Sequence, residues 1–351
     1  MAVDRSSGKV GKRGQQVKTT MWKVGLAALV CCAPPPIMED AAAADGFDVV
    51  VLGALGGIQD GNLSAYLVRP HDDDRAVTCD AGTLVNGLRI ADSNGAFDAV
   101  DVPRQAGQSR VGYILTHKVK GYLISHAHLD HVAGLVIASP DDSNKPIYAL
   151  PSVGKALVEN YFNWQAWPNF TDRGKPPRLG KLAIADLEPA VRTPLSDTKM
   201  TATAFPLSHG GLESTAFLFE SDGDAMLCFG DTGPDAVEKT TRMKDVWTAV
   251  AGKVKQRRLK AVVIEASYAN DRPDKLLFGH LTPKWLLASL HDLAAQAGAE
   301  SLTGLPVVVG HIKYSLTDEQ PQKEILDELE AGNDLGLRFI LPRQGSHWHF
   351  K

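Results

Sequence analysis

The stretch Ser125-His-Ala-His-Leu-Asp-His131 places three histidines and one aspartate within six positions. It follows a short apolar run at residues 122–125 that is typical of a strand, and it precedes an apolar run at residues 132–136. Histidine and aspartate bind borderline cations such as zinc or manganese and leave positions open for water. Since alternate residues of an extended loop point the same way, we expect His126 and His128 to share one metal. Asp130 and His131 begin the following helix and should turn toward a second metal.

Two metals need further ligands, and three later runs of the chain end in suitable side chains. His209, Asp231 and His311 each follow an apolar run that predicts a strand. Side chains at the ends of strands can converge on one edge of a sheet. Any one of these residues alone would be an ordinary loop residue, but four such strand ends together predict a shared site.

From residue 45 onward the chain shows short apolar runs broken by turns, and helices enter later. Ser221-Asp-Gly-Asp224 separates two apolar runs and is typical of a hairpin turn. Apolar residues at i, i+3 and i+4 spacing predict helices, two of which begin with a proline in the first turn. The predicted strands are residues 47–55, 63–68, 76–80, 122–125, 147–150, 202–207, 216–220, 225–229, 261–265 and 306–310, and the predicted helices are residues 153–162, 283–296 and 321–331. No linker divides these elements, so we predict one αβ domain over residues 45–351.

The composition supports a globular protein with a large core. The chain has 351 residues, of which 44% are hydrophobic and 22% charged. Its 32 glycines and 20 prolines follow no period, which excludes collagen, coiled coil and low-complexity disorder. The most apolar run, residues 24–33, is well short of the roughly 20 residues that span a bilayer, so no stable membrane anchor is expected.

The first 44 residues resemble a secretory signal. Six basic residues and one acid precede the apolar run, which is followed by a proline-rich step and by four consecutive alanines at residues 41–44. This order of charged, apolar and small residues is typical of export, so we predict a periplasmic or extracellular protein. Met21 is an alternative start. A disordered basic tail or an organellar transit peptide is the alternative, and a lipid anchor at Cys31 or Cys32 is less favoured.

Removal of residues 1–44 makes the remaining chain more acidic. Its formal net charge changes from −4 to −7, because six basic and three acidic side chains are lost. An acidic protein lacks the broad basic surface that a nucleic acid polymer needs, so we expect no such partner. The two remaining cysteines, Cys79 and Cys228, lie in apolar runs. Two cysteines do not make a disulfide framework, so we predict that they are core residues.

The sequence resembles a known family. His126-Ala-His-Leu-Asp-His-Val-Ala-Gly-Leu-Val-Ile-Ala-Ser-Pro140 is similar to the signature of class II 3′,5′-cyclic-nucleotide phosphodiesterases, within the metallo-β-lactamase superfamily. Four further motifs extend the resemblance: Phe229-Gly-Asp-Thr-Gly-Pro-Asp235, Ile264-Glu-Ala-Ser267, Gly279-His-Leu-Thr282 and Gly310-His-Ile-Lys313. It implies an αββα sandwich (the metallo-β-lactamase fold), an α+β arrangement of two mixed sheets flanked by helices.

The resemblance also implies roles for individual residues. The first metal would be held by His126, His128 and His209, and the second by Asp130, His131 and His311, with Asp231 as a bridging ligand. By likeness to related phosphodiesterases that mature transfer RNA, His280 is the candidate general acid and Glu265 its orienting partner. The cofactors would be two divalent ions, most simply Zn²⁺, with Mn²⁺ or iron as alternatives.

Charge supports a phosphodiester substrate. Two divalent ions, Asp130, Asp231, a bridging hydroxide and one singly charged phosphodiester together carry no net charge. We expect the hydroxide to attack phosphorus, since metals lower the pKa of bound water, while His280 protonates the departing O3′. The expected activity is hydrolysis of cyclic AMP, cyclic GMP or both to nucleoside 5′-monophosphates.

Five aromatic residues fall between residues 161 and 170. Trp164 and Trp167 are candidates for stacking on the base of the substrate. The alternative is that the same side chains pack a helix onto the core.

Other functions on the same scaffold stay open at this point. A lactonase or an acyclic phosphodiesterase would use the same ligands. A β-lactamase of the common kind would place a cysteine at the third ligand position of the second metal, a role that Asp130 fills here. A transfer-RNA nuclease would need a basic arm. A non-catalytic scaffold is disfavoured because all seven metal ligands are present. Members of the family are often dimers, so the resemblance implies a homodimer. The sequence assigns no role to His71, His117 or the basic run at residues 253–260. His347 and His349 are interpreted as part of a tail, with adventitious metal binding as the alternative.

Overall fold

The structure, a computed structural model, describes residues 46–317 and 319–351. The predicted leader, residues 1–44, lies outside the described residues, so its signal function stays a prediction. The strands are β1 (Phe47–Gly53), β2 (Leu55–Gly56), β3 (Ala65–Pro70), β4 (Ala76–Cys79), β5 (Val119–Leu123), β6 (Lys145–Ala149), β7 (Leu182–Asp186), β8 (Arg192–Pro194), β9 (Thr201–His209), β10 (Leu212–Ser221), β11 (Asp224–Phe229), β12 (Leu259–Glu265), β13 (Pro306–Gly310), β14 (Ile312–Lys313), β15 (Arg338–Ile340) and β16 (His347–Phe350).

Two seven-stranded sheets contain most of these strands. The first has the order β16-β1-β3-β4-β5-β6-β7, and the second has the order β15-β13-β12-β11-β10-β9-β8. In the first sheet the pairings from β16 to β4 are antiparallel and those from β4 to β7 are parallel. In the second sheet the pairings from β8 to β11 are antiparallel and those from β11 to β15 are parallel. The two sheets therefore repeat one pairing pattern, and both are mixed.

Helices cover the sheets. They are α1 (Val85–Ser93), α2 (Arg110–Tyr113), α3 (Leu129–Ala138), α4 (Pro151–Asn160), α5 (Asp235–Glu238), α6 (Arg242–Lys255), α7 (Pro283–Ala297) and α8 (Pro321–Ala331), with one π-helical segment, Ile114–Lys118, and short 3₁₀ segments at Arg104–Ala106, Asp274–Leu276 and Ala299–Leu302. In the first sheet α1 packs on β1 and α4 on β6 and β7, whereas α6 packs on β9 and β12 in the second. The predicted arrangement, two mixed sheets flanked by helices, is confirmed.

The core explains why the predicted strands read as nearly continuous apolar runs. Strand β11 is buried along its whole length, and β12 is buried at all positions but one. A strand with a second sheet on one face and helices on the other has no solvent side, so its sequence loses the alternation of a half-exposed strand. Each apolar side chain buried in this way contributes about 1.5–3 kcal/mol.

The predicted helix starts depend on proline chemistry. Pro151, Pro283 and Pro321 each occupy the first turn of a helix, where the missing N–H removes no intrahelical hydrogen bond. The predicted helix at residues 321–331 has the observed bounds, and the one at residues 283–296 ends one residue early. The helix predicted at residues 153–162 is observed at Pro151–Asn160, because Pro151 occupies its first turn.

The prediction that Cys79 and Cys228 are core residues is confirmed, but the disulfide between them was not predicted. They form a disulfide between β4 in the first sheet and β11 in the second, with a Cα–Cα separation of 6.7 Å. Both side chains are buried, which agrees with their apolar sequence surroundings. The two residues are 149 positions apart in the chain, so their proximity depends on the stacking of the sheets and could not be found locally.

In the described part of the chain, no helix combines the length and the apolar character that crossing a bilayer requires.

We expect the disulfide to contribute about 2–4 kcal/mol to the stability of the folded chain, because it restricts the unfolded state across a long loop. A Cys79→Ala/Cys228→Ala variant, and the native chain in reductant, should therefore unfold at lower denaturant concentration than the oxidised native chain. Equilibrium denaturation measures this difference. The double variant is the control, because its midpoint should not respond to reductant. An unchanged midpoint for the reduced native chain would contradict a stabilising disulfide.

Candidate metal centre

A buried carboxylate holds the histidine-rich loop in place. Asp80 follows β4 with a left-handed φ of 55°, and its side chain is 2% exposed. Its Oδ1 accepts a hydrogen bond from the backbone N–H of Ser125 at 2.8 Å, and its Oδ2 accepts one from the Ser125 hydroxyl at 2.9 Å. The same Oδ2 lies 2.7 Å from Nδ1 of His131. Asp80 thus anchors the loop at both ends.

These hydrogen bonds leave one ring nitrogen of each histidine available. Because the Ser125 hydroxyl donates to Asp80, it accepts from Nδ1 of His126 at 3.0 Å. Nδ1 of His209 donates to the carbonyl of Gly279 at 2.8 Å. Each of these rings therefore keeps Nε2 for another partner, which is how metal-binding histidines are oriented in proteins.

The first predicted ligand group is assembled in the structure. The ligand atoms of His126, His128, His209 and Asp231 all lie within 4.8 Å of one another. His128 lies at the end of the loop, with its Nδ1 3.2 Å from Nε2 of His209. His209 ends β9, as its place after an apolar run predicted.

The second group is assembled beside it. Asp130, His131 and His311 also have their ligand atoms within 4.8 Å of one another, and Nε2 of His311 lies 3.3 Å from Oδ2 of Asp130. The backbone N–H of Gly57 donates to that oxygen at 2.8 Å. Glycine is required next to it, since a Cβ on Gly56 would lie 2.3 Å from the His311 ring.

Asp231 lies between the two groups. Its Oδ1 is 3.3 Å from Nε2 of His131, and its Oδ2 is 3.3 Å from Nε2 of His311. The same Oδ2 is 3.8 Å from Nε2 of both His126 and His209. One carboxylate facing ligands of both groups is the position that a bridging ligand needs.

The residues fit a divalent metal. Nε2 of His126 is buried and has no hydrogen-bond partner in the structure, although a buried polar atom without a partner is costly. Burial lowers the pKa of His126, His128 and His311, which favours the neutral form that binds metals. An ion coordinated by these nitrogens would provide the missing partner.

The two aspartates are held ionised. Burial alone would raise the pKa of Asp231, but the neighbouring His131 and His311 lower it well below its usual range. The pKa of Asp130 is likewise lowered, because the hydrogen bond from His311 and the charge of His131 outweigh burial. Burial would lower the pKa of His131, but Asp231 and Asp80 raise it well above its ordinary value. The centre thus concentrates negative charge where a cation would be held.

His280 and Glu265 form a buried pair next to Asp231. Nδ1 of His280 lies 3.0 Å from Oε1 and 3.2 Å from Oε2 of Glu265. The carboxylate of Glu265 also accepts from the backbone N–H groups of Thr232 at 2.9 Å and Leu281 at 3.2 Å. Burial would lower the pKa of His280, but Glu265 raises it above its usual value.

Two residues that orient the candidate ligands were not predicted from the sequence. Asp80 was included only as the end of a predicted strand, although an aspartate at a strand end is the same signal that identified Asp231. Ser267 ends the motif Ile264-Glu-Ala-Ser267 but was assigned no role. Its hydroxyl donates to Glu265 at 2.6 Å and lies 3.1 Å from Nδ1 of His311, so it orients a predicted ligand together with the predicted partner of the general acid.

The tryptophans are held by contacts of their own. Nε1 of Trp167 donates to the Ser139 hydroxyl at 3.1 Å, and the side chain packs against the core. Nε1 of Trp164 donates to the carbonyl of Pro177 at 2.8 Å, and the residue is 39% exposed. Stacking of either ring on a base stays a prediction.

A cleft of about 260 Å³ opens beside the first ligand group. It is bordered by two of the loop histidines and by residues of α4 and of the start of β10, and its lining residues include His126, His128, Ser152, Asn160, Leu212 and Glu213. Trp164 and Trp167 do not border it. The cleft gives a small molecule direct access to the ligands.

Solved structures similar to this chain define its fold. The structure of unliganded yeast PDE1 superposes with a TM-score of 0.76 at 24% identity, over 87% of this chain and 99% of that chain. The metallo-β-lactamase fold protein YhfI from Bacillus subtilis superposes with a TM-score of 0.57 at 15% identity, over 87% of this chain and 99% of that chain. The fold is therefore the metallo-β-lactamase fold, with a centre of histidine and aspartate ligands suited to divalent metal.

The family follows from the sequence comparison. The family model described as "cAMP phosphodiesterases class-II" matches residues 47–345 of this chain. The chain is 48% identical to the 3′,5′-cyclic-nucleotide phosphodiesterase of Aliivibrio fischeri, over 94% of this chain and 100% of that protein. It is 45% identical to the probable 3′,5′-cyclic-nucleotide phosphodiesterase of Yersinia pestis, over 87% of this chain and 90% of that protein. The chain belongs to the class-II cAMP phosphodiesterase family, as the signature at residues 126–140 predicted.

We expect an Asp80→Asn variant to bind divalent metal about 10–100-fold more weakly, since losing a partner that orients a ligand has an effect of this size. Asparagine can still accept from Ser125, but its amide nitrogen cannot accept from Nδ1 of His131. Competition with a fluorescent zinc chelator measures the change. The matched control is Asp73→Asn, because Asp73 is also buried but pairs with Arg75 outside the centre. Equal zinc affinity in native chain and Asp80→Asn would show that this carboxylate does not orient His131.

Proposed function

We propose that the protein hydrolyses 3′,5′-cyclic nucleotides to nucleoside 5′-monophosphates with two divalent ions. The observation that carries this proposal is that every ligand implied by the family signature meets at one centre, with Asp231 between two groups. The first ion would be held by His126, His128 and His209, and the second by Asp130, His131 and His311.

The bound ions would supply positive charge for the phosphodiester and a nucleophile derived from water near neutral pH. The chain's own residues confine the reaction. Asp130 and Asp231 are ionised in a buried setting, and they balance part of the cationic charge. Lys313, whose Nζ is 3.9 Å from Oδ2 of Asp130, adds a cation beside the second ligand group.

His280 is proposed as the general acid. Hydrolysis adds water across the P–O3′ bond, so a bond from the water oxygen to phosphorus forms and the departing O3′ needs a proton. Glu265 holds Nδ1 of His280 and raises the pKa of the ring despite burial, which keeps the proton available. Nε2 is then the nitrogen that donates, and general acid catalysis of this kind contributes about 10²–10⁴-fold.

Zinc is the ion we favour, with manganese or iron as alternatives. All proposed ligands are imidazole nitrogens or carboxylate oxygens, a set that these three metals accept. Cys228 is joined to Cys79, so neither thiol can serve as a ligand. This observation counts against a β-lactamase of the cysteine-containing kind.

A lactonase or an acyclic phosphodiesterase is the alternative activity, and family membership favours the cyclic substrate. We also propose that the protein has no nucleic acid polymer as partner, because the chain after residue 44 carries a formal charge of −7. A homodimer is proposed from the family resemblance alone.

We further propose that residues 1–44 direct export to the periplasm or the extracellular space. The leader lies outside the described residues, and its sequence carries this proposal. The Cys79–Cys228 disulfide supports it, because disulfides persist in oxidising compartments and are rare in reducing ones.

The activity is tested with cyclic AMP and cyclic GMP supplied separately to metal-loaded protein and to chelated protein. We expect metal-dependent release of the 5′-monophosphate, with none detectable from Asp231→Ala, because that variant removes the residue shared by both ligand groups. His280→Gln should keep its metals and lose about 10²–10⁴-fold in kcat. His291→Gln is the matched control, since His291 is an exposed histidine paired with Asp334.

Failure of a fully metallated native protein to release either 5′-monophosphate would overturn the proposed substrate. Lactones and acyclic phosphodiesters would then be assayed with the same variants. Full activity of His280→Gln would instead assign proton donation to another group.

Export is tested by expressing the full chain with a C-terminal tag in a bacterium and fractionating the cells. We expect a tagged periplasmic or secreted product whose first residue follows the alanines at residues 41–44. A deletion of residues 24–33 is the control, because it removes the apolar run and should keep the product in the cytoplasm. An unprocessed native chain in the cytoplasm would be incompatible with a signal segment.

A further inference from the structure

Apart from the candidate metal centre, a further cluster of side chains of the types that bind metals lies at the edge of the first sheet. Asp48 is on β1, His349 is directly opposite it on β16, and His71 follows β3, the other neighbour of β1. No role was predicted from the sequence for His71, and His349 was interpreted as part of a tail. The structure instead places His349 within a paired strand, and register rather than sequence proximity brings the three residues together.

The three side chains meet at one carboxylate oxygen. Oδ1 of Asp48 lies 2.9 Å from Nδ1 of His71 and 2.8 Å from Nδ1 of His349. The two imidazole rings are close, with centroids 3.8 Å apart. The ligand atoms of all three residues lie within 4.8 Å of one another. Two imidazole nitrogens and one carboxylate oxygen therefore face a common point.

The other carboxylate oxygen is already occupied. Oδ2 of Asp48 accepts from the guanidinium of Arg69 at 2.6 Å. Ligating carboxylates are commonly oriented through hydrogen bonds of this kind. Arg69 thus fixes the Asp48 side chain with Oδ1 directed at the two histidines.

The group borders a cavity of about 470 Å³ on the face of the sheet that α1 covers. Phe97, Val100 and Ile114 form part of its apolar wall, and His347, Asp101 and Lys118 border it as well. His347 is two residues before His349 on β16, so it faces the same side of the sheet. The cavity leaves room for water or a further side chain beside the three ligands.

This group is separate from the centre described above. Strand β1 runs from Asp48 toward Gly53, and the loop that follows it reaches Asp130 through Gly57. At about 3.3 Å per residue, the five residues from Asp48 to Gly53 already span about 16 Å. The two sites lie at opposite ends of the first sheet.

We propose that Asp48, His71 and His349 form an accessory site for a borderline divalent ion such as Zn²⁺, with an open position toward the cavity. Two imidazoles and one carboxylate are a zinc ligand set that leaves a fourth position for water. The ion links β16 to β1 and to the end of β3. It therefore ties the last strand of the chain to the sheet, and because it binds the folded chain it raises thermal stability.

The test is a count of bound zinc as a function of buffered free Zn²⁺, made on the full chain by equilibrium dialysis and elemental analysis. We expect the native protein to bind one more equivalent than a His71→Gln/His349→Gln variant. Turnover of the double variant should equal that of the native protein, since neither residue belongs to the catalytic centre. Zinc concentrations that fill the extra site should raise Tm in the native protein and leave Tm of the double variant unchanged.

Three further variants keep the result interpretable. His291→Gln removes an exposed histidine with a single carboxylate partner and should retain the extra equivalent. If the double variant fails to fold, Asp48→Asn serves in its place. It keeps the shape of the ligand and should weaken zinc binding at the extra site at least tenfold. In Asp231→Ala the catalytic ligands are impaired, but the equivalent that depends on His71 and His349 should persist, which separates this site from the proposed activity.

Two outcomes would overturn the site. One is a native protein that saturates at the same count as the double variant throughout the soluble range of free zinc. The other is an extra equivalent that survives both His71→Gln/His349→Gln and Asp48→Asn with unchanged affinity.

Discussion

The carboxylate of Asp80 is the constraint from which the metal centre is built. It is buried, it occupies a left-handed backbone position at the end of β4, and it accepts hydrogen bonds from both the backbone and the hydroxyl of Ser125. Because that hydroxyl donates its only proton to Asp80, it must accept the hydrogen bond from Nδ1 of His126. One aspartate therefore sets the orientation of two ligands, one in each group.

Burying the candidate metal centre carries a large desolvation cost. Asp231 and Glu265 are almost fully buried together with five histidines around them, and taking charges out of water costs several kcal/mol for each charged group that lacks compensation. Hydrogen bonds from Thr232, Leu281 and Ser267 offset this cost at Glu265. Among the described residues the ion-pair partners of Asp231 are histidines, so its compensation depends on how those rings are protonated or coordinated.

Local chemistry determined how much could be predicted from the sequence. The candidate ligands were predicted because each follows an apolar run that the sequence itself identifies as a strand. They are the loop at residues 125–131 and the strand ends at His209, Asp231 and His311. The fold class followed from the family resemblance and was confirmed by the two mixed sheets. The roles of the ligands and of the two tryptophans stay predictions.

What the sequence did not reveal depends on pairing between distant strands. Cys79 and Cys228 read as isolated apolar residues because their contact needs two sheets to stack. Asp48, His71 and His349 come from three strands or strand ends whose register is invisible in one sequence. Asp80 ends a predicted strand as Asp231 does, but it was overlooked because its partners are 45 and 51 residues away.

The repeated pairing pattern of the two sheets has a consequence for how the protein matures. Asp130 and His131 belong to the first sheet's connections, whereas Asp231 and His311 belong to the second's, and the other group is divided in the same way between His126 and His209. Neither sheet alone carries a complete set of ligands. A metal ion that needs ligands from both sheets would therefore be retained tightly only after the sheets dock, and the metal content of the chain would report whether that docking has occurred.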